Sequence, residues 1–297
     1  MNDEIAVTLA GLTFSCRLRY PESARYFQKP DPGAPRVGTG SVSMSKEDWQ
    51  FFVADGAEES PFSEYSLLCF NFSDALLPYD RVLVHGVALR WRDRAYLICA
   101  DSGVGKSTQA RCLRDLRPGE FSIICGDRPA LEFRPCAPVG ADAHIGPSAS
   151  PACHSERSEE SASPPCHSER GEESVSPVQS LPPRGKVSRP EAVTDEGPIL
   201  VHPSPWNGKE NWHGAPAAPL AGLILLERGE ENRLVSLTDR EAALPMYSHL
   251  IQTGCEPENI RRVAALETRL LQSVPIWKLT TFRVPDSTRL LLDAVFV

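Results

Sequence analysis

The run Ala100-Asp101-Ser102-Gly103-Val104-Gly105-Lys106-Ser107 limits what this chain can fold into more than any other stretch. It follows the phosphate-loop pattern G-x-x-x-x-G-K-[ST] at every defined position but the first, where Ala100 replaces Gly. Each match has a physical reason. Gly105 permits the tight turn, and loop N–H groups face phosphate oxygens. Lys106 carries charge to the β/γ-phosphates, and the Ser107 hydroxyl faces a Mg²⁺ ion. The flanks fit as well. Ala95-Tyr96-Leu97-Ile98-Cys99 is an apolar run suited to a buried strand. After the loop, Ala110, Leu113 and Leu116 recur at helical spacing until Pro118-Gly119. Strand, loop, helix is the order an anion site needs, because the helix N-terminus adds its positive dipole end.

Composition bounds the class. With 297 residues, 41% hydrophobic and 24% charged, the chain has the make-up of a globular protein with a sizeable core. Its net charge of −8 argues against a general nucleic-acid binder. No run approaches the roughly 18 apolar residues of a membrane span. The first residues, Met1-Asn2-Asp3-Glu4, lack a signal peptide's basic region. Nine cysteines, with no C-x-x-C pair, read as reduced thiols, so a cytoplasmic location without a membrane or nucleic-acid partner is expected. Cys69, Cys99 and Cys125 sit in apolar runs, as small core residues do.

Along the chain, residues 1–80 read as a small α+β domain. Strands are expected at 5–9 and 13–18 around Ala10-Gly11, and a helical stripe over 64–77 closes at Pro78. Residues 81–297 read as the nucleotide-binding domain. Strands are expected at 81–84, 87–91 and 121–125, the last ending in Gly126-Asp127-Arg128-Pro129. An Asp at that strand end is well placed for a metal, directly or through water. Residues from about 135 to 198 interrupt the domain. They are rich in Pro, Ser, Ala and Glu and repeat Cys153–Pro164 as Cys166–Pro177, thirteen residues on. Such a stretch buries too little apolar surface to offset its ordering entropy, so a disordered insertion is expected rather than a zinc site at Cys153, His154, Cys166 and His167. Beyond it, 219–226 reads as a strand with 233–237 as its hairpin partner. From Thr238-Asp239-Arg240-Glu241, a capping box, the chain reads as helical except over 276–284.

Three motifs in order resemble a known family. His85-Gly86 precedes the loop, Gly126-Asp127-Arg128 follows the next strand, and Ser204-Pro205-Trp206-Asn207-Gly208-Lys209-Glu210 comes after the insertion. Together they are similar to the catalytic domain of HPr kinase/phosphorylase, which shares its fold with ATP-dependent phosphoenolpyruvate carboxykinase. The likeness is closer to a bacterial subgroup similar to that domain, whose loop also begins without the first Gly. It covers about 80–135 and 198–240, and more weakly the N-terminal segment. The resemblance implies an α/β fold, α+β-rich, with a P-loop core of this type. It implies ATP and Mg²⁺ as cofactors, with Ser107 and Asp127 on the metal and Asp127 as general base toward an accepting hydroxyl, near His85. It also implies a homo-oligomer, the related kinase being a hexamer. The nucleotide contacts expected are Ser102, Gly103, Val104, Gly105, Lys106, Ser107 and Thr108, with Arg128 and Lys209 as further candidates. Catalysis is expected of Asp127, His85 and Lys106.

The chain departs from the family twice. Gly126 stands where the kinase has the first of two aspartates, and the family's C-terminal Pro-Gly-Arg-Asn loop has no counterpart. Asp127 is then a metal ligand, a base or a plain turn carboxylate, and His85 a catalytic or a partly buried histidine. Arg128 either orients Asp127 or touches phosphate, Lys209 either meets an anion or is an exposed loop lysine, and Trp206 and Trp212 pack rather than stack on adenine. The leading expectation is an ATP-dependent kinase that phosphorylates a hydroxyl on a small molecule or a peptide serine. The alternative is a nucleotide-binding accessory or sensor protein with little turnover. A carboxykinase-like lyase is a third reading, for which the additional metal and substrate residues are not evident.

Overall fold

The computed structural model describes residues 4–27, 38–56, 58–135, 196–254 and 256–297. The 136–195 stretch, including the repeat and its Cys-His pairs, lies outside the described residues. The N-terminal segment forms a three-stranded sheet, β1 (Glu4–Leu9), β2 (Leu12–Arg17) and β3 (Gly38–Val42), followed by helices α1 (Lys46–Ala54) and α2 (Pro61–Leu76). Ala10 and Gly11 both take positive φ, 49° and 78°, the left-handed pair that closes a tight β1–β2 hairpin. The sequence reading missed β3 and α1. The α1 start is a capping box: Ser45 Oγ accepts from Asp48 N at 3.0 Å and the Asp48 carboxylate accepts from Ser45 N at 2.8 Å.

The rest of the chain contributes β4 (Arg81–Leu83), β5 (Gly86–Trp91), β6 (Arg94–Cys99), α3 (Lys106–Leu116), β7 (Phe121–Cys125) and β8 (Ala130–Pro135). After the undescribed stretch come β9 (Glu196–His202), β10 (Ala218–Arg228), β11 (Arg233–Leu237), α4 (Asp239–Tyr247), α5 (Pro257–Ser273), β12 (Ile276–Thr281) and α6 (Val284–Ala294). Among the described residues these strands make one nine-stranded mixed sheet, in the order β4-β8-β9-β10-β6-β5-β7 with β12 and β11 added beside β10. β6, β10 and β12 run parallel. β5 is antiparallel to both β6 and β7, so β7 runs the same way as β6. The carboxyl ends of β6, β7 and β10 therefore share one edge.

Alternation along the strands explains how helices cover both faces. Ala88, Leu97, Cys99, Leu223 and Leu225 turn to the face packed by Ala242 and Met246 of α4 and Val263, Leu266 and Leu270 of α5. Val87, Leu89, Ile98 and Ile224 turn to the opposite face, against Ala110 and Leu113 of α3 and Leu291 and Leu292 of α6. The architecture is mixed α/β. A third cluster joins the N-terminal sheet and α2 to the large sheet: Phe14, Leu68 and Phe72 meet Leu83, Ala130, Trp206 and Ile251. No helix among the described residues is long and apolar enough to cross a membrane.

One expectation is corrected. β11 is not the hairpin partner of β10. β12 lies between them, parallel to β10 and antiparallel to β11. The connecting turn makes room for it: Gly229 N donates to Thr281 O at 3.1 Å, and Asn232 Oδ1 accepts from Phe282 N and Arg283 N at 2.8 and 3.0 Å. A four-residue turn, Gly229 to Asn232, thus spans a strand that arrives only after α4 and α5.

Candidate functional site

The site is built on the common carboxyl edge of β6, β7 and β10, where open α/β sheets leave a crevice. β6 ends at Cys99, buried Ala100 follows, and the loop 101–105 leads into α3. Gly103 and Gly105 sit at φ +79° and +124°, a region that side chains avoid, so both glycines are required by the backbone. α3 starts at Gly105 with no side-chain cap. Its first N–H groups, from Lys106 to Thr108, thus have neither an intrahelical nor a side-chain acceptor.

Lys106 is only 8% exposed. Its Nζ donates to Ala100 O at 2.7 Å and Asp101 O at 3.2 Å, and it lies 3.1 Å from His85 Nε2. An ammonium has three protons and accepts none, so His85 Nε2 is the acceptor and the imidazole proton resides on Nδ1. Burial lowers the Lys106 pKa, opposed by the charge of Asp127. Burial also pushes His85 down to about 4, helped by Lys106, Arg128 and His249, so the imidazole is neutral at pH 7. His249 packs edge-on, 6.2 Å between ring centroids, and its carbonyl accepts from His85 N at 2.8 Å.

Asp127 follows β7, and Gly86 N donates to its carbonyl at 2.8 Å. Its Oδ1 is 3.6 Å from His85 Nε2 and its Oδ2 is 3.4 Å from Arg128 Nε. Burial raises the carboxyl's pKa, while Arg128 and Lys106 hold it down and Glu210 adds to the rise. The structure thus gathers His85, Lys106 and Asp127 into one cluster. Ser107 is half-buried at the start of α3, and Ser102, Gly103 and Thr108 are exposed along the loop and first turn. Arg128 faces away from the loop: its Nη1 donates to Ser66 O at 2.7 Å and to Cys69 Sγ, which fixes it against α2 beside Asp127. Lys209 is exposed in the 208–211 turn.

The Ser204–Glu210 segment explains why residue 126 is a glycine. Ser204 Oγ donates to Arg128 O, Arg128 N donates to Trp206 O at 3.0 Å, and Trp206 Nε1 donates to Tyr65 O at 2.7 Å. Trp206 is buried between Phe27, Tyr65 and Phe72, so it packs. This arrangement lays the next residues directly on β7's end. A Cβ at position 126 would stand 2.5 Å from Asn207 O and 3.1 Å from Trp212 Cβ. Gly126 is a glycine because the loop occupies the place of its side chain. Trp212 carries the guanidinium groups of Arg111 and Arg114 over its ring, at 5.4 and 5.7 Å. Glu210 pairs with Arg111 at 3.9 Å, and its charge is felt at Asp127.

Three neighbours escaped the sequence reading: His249, Glu210 as a charge beside Asp127, and Arg228. Arg228 ends β10 and donates from Nε to Val104 O at 3.2 Å and from Nη2 to Gly103 O at 2.9 Å. A charged residue at the end of an apolar strand was the available signal for it. Compared with known family models and with curated proteins, the chain matches none.

Proposed function

We propose that this protein binds ATP with Mg²⁺ at the 101–108 loop and transfers the γ-phosphoryl group to a hydroxyl, on a small molecule or a peptide serine. The uncapped start of α3, with buried Lys106 held beside His85 and Asp127, carries the proposal. A helix end without a cap is an acceptor-seeking surface, and its dipole favours a phosphate. Mg²⁺ bound with ATP supplies neutralisation of the phosphate charge. It commonly takes only one or two protein oxygens, which suits Ser107 and Asp127.

Lys106 would exchange one of its present acceptors for a phosphate oxygen, which leaves its ammonium still desolvated. Asp127 is the group to take the proton as the hydroxyl oxygen bonds to phosphorus and the bond to ADP breaks. Neutral His85, a fixed acceptor to Lys106, holds that ammonium in line rather than titrating. This reading places the chain with the HPr-kinase-like group and its P-loop core, as the order of the motifs implies. Titration calorimetry with MgATP tests it, followed by ADP release with candidate acceptors. Lys106→Ala should abolish binding, and Asp127→Asn should leave binding but stop transfer. No binding at millimolar MgATP refutes the proposal.

One observation favours a second reading, a nucleotide sensor with little turnover. The loop seated on Gly126 leaves no room for a second carboxylate beside Asp127. Tight MgATP binding, with no acceptor-dependent ADP release that Asp127→Asn removes, would select it.

A further inference from the structure

We propose that Arg228 is the positioning residue that turns the 101–105 loop toward its anion. The inference rests on the phosphate-binding reading of that loop, and its geometry stands apart from the motif. The guanidinium reaches across from the end of β10 and takes two successive carbonyls, Gly103 O at 2.9 Å and Val104 O at 3.2 Å. A trans peptide is planar, with its C=O and N–H on opposite sides. Holding both carbonyls to Arg228's side therefore sends the N–H groups of Val104 and Gly105 to the other. The Val104 N–H meets Asp101 O at 3.3 Å, which tightens the turn. The Gly105 N–H lies at the start of α3, beside the first-turn donors left without a cap.

Two effects follow. The negative ends of two peptide dipoles are kept from the place where an anion would sit, and their charge is balanced by a cation outside it. The loop also loses freedom it would otherwise have, because Gly103 and Gly105 populate left-handed conformations as readily as right-handed ones. A rigid loop meets its ligand without further ordering cost. Arg228 suits this work because its planar fork binds two acceptors at once, which a lysine ammonium on a flexible stem does less well.

The test uses the full chain in three forms, wild type, Arg228→Ala and Arg228→Lys, with Lys106→Ala as reference. Two readouts are taken: MgATP affinity by calorimetry and amide hydrogen exchange over 100–107 without ligand. Arg228→Ala should bind MgATP about tenfold more weakly, the loss of two charge-assisted hydrogen bonds, and exchange its loop amides faster. Arg228→Lys should recover part of both, and free guanidinium should restore part of the affinity of Arg228→Ala. The melting temperatures of Arg228→Ala and Arg228→Lys should stay close to the wild-type value, because Arg228 is exposed. If Arg228→Ala binds as wild type does while Lys106→Ala does not bind, the inference is overturned and the nucleotide reading stands. If wild type itself fails to bind MgATP, both fall.

Discussion

Placing a single methyl group on residue 126 tests whether the 204–212 segment is locked to the end of β7. In Gly126→Ala the new Cβ would face Asn207 O at 2.5 Å, Trp212 Cβ at 3.1 Å and Trp212 O at 3.2 Å. Two of the three are backbone atoms, which cannot swing aside as a side-chain tip does. An unstrained C···O contact is about 3.3 Å, so the loop has to retreat by roughly 0.8 Å. That retreat stretches the Arg128 N to Trp206 O bond and unseats Trp206 from Tyr65. Overpacking of this kind costs about 1–3 kcal/mol. For a domain of this size it lowers the melting temperature by roughly 2–12 °C. Scanning calorimetry of wild type and Gly126→Ala measures it directly. Gly126→Asp, which would put a second carboxylate beside Asp127, should be at least as unstable and should not gain activity. A Gly126→Ala protein that melts with wild type, or a stable Gly126→Asp protein with faster transfer, refutes the reasoning.

Trp206→Ala removes a buried indole and its bond to Tyr65 O. Urea unfolding should show a loss of about 3–5 kcal/mol, and a loss below about 1 kcal/mol would mean that Trp206 does not join α2 to the large sheet. Glu267 on α5 is buried, its Oε1 lacks a hydrogen-bond partner, and burial pushes its pKa up to about 7. The folded carboxyl keeps a proton that the unfolded chain loses above its ordinary 4.5, so stability should fall as pH rises from about 4.5 to 7. Glu267→Gln should remove that slope and stabilise the protein at pH 8 by about 1–3 kcal/mol. Measuring the variant against wild type cancels the opposite slope from His85, whose lowered pKa makes stability rise with pH between about 4 and 6.5. Finally, β8 and β9 pair antiparallel with Pro135 opposite Glu196, so their ends adjoin. Replacing 138–192 by a short Asn-Gly turn should leave the melting temperature and MgATP affinity unchanged, and loss of either would show that the excursion contributes to the fold or the site.

The sequence was legible where physics is local. The apolar run 95–99, the glycines and the 3.6-residue spacing after them mark a strand, a turn and a helix, and β6, the loop and α3 lie there. Thr238 and Glu241 mark a helix start through bonds within one turn, and the bonds are present. Asp127 was recognisable because it ends an apolar strand, His85 only through the motif order that the chain resembles, and sheet pairing brings the two together. What was not legible depends on partners far along the chain. Nothing in 233–237 tells that β12 will lie beside it rather than β10, since that choice waits on a strand forty residues later. β8 and β9 are a hairpin whose turn is replaced by a long polar stretch, which hides their kinship. Gly126 reads as a lost acid in sequence and as a packing requirement in space.

The contact between Arg228 and Gly103 joins residues 125 apart in the chain. That separation has a kinetic consequence. β6 must wait for β10 before it gains its parallel neighbour, and pairings of such long range close late in folding. The equilibrium penalty is small, because loop-closure entropy grows by only about 0.6 kcal/mol for each doubling of length. The rate is what suffers. A growing chain that has emerged only to β8 holds the glycine loop and α3 but neither the strand nor the guanidinium that shape them. The binding loop is thus an early part of the sequence and a late part of the native state. Any ligand that favours it acts on the last stage of assembly, by trapping the finished fold.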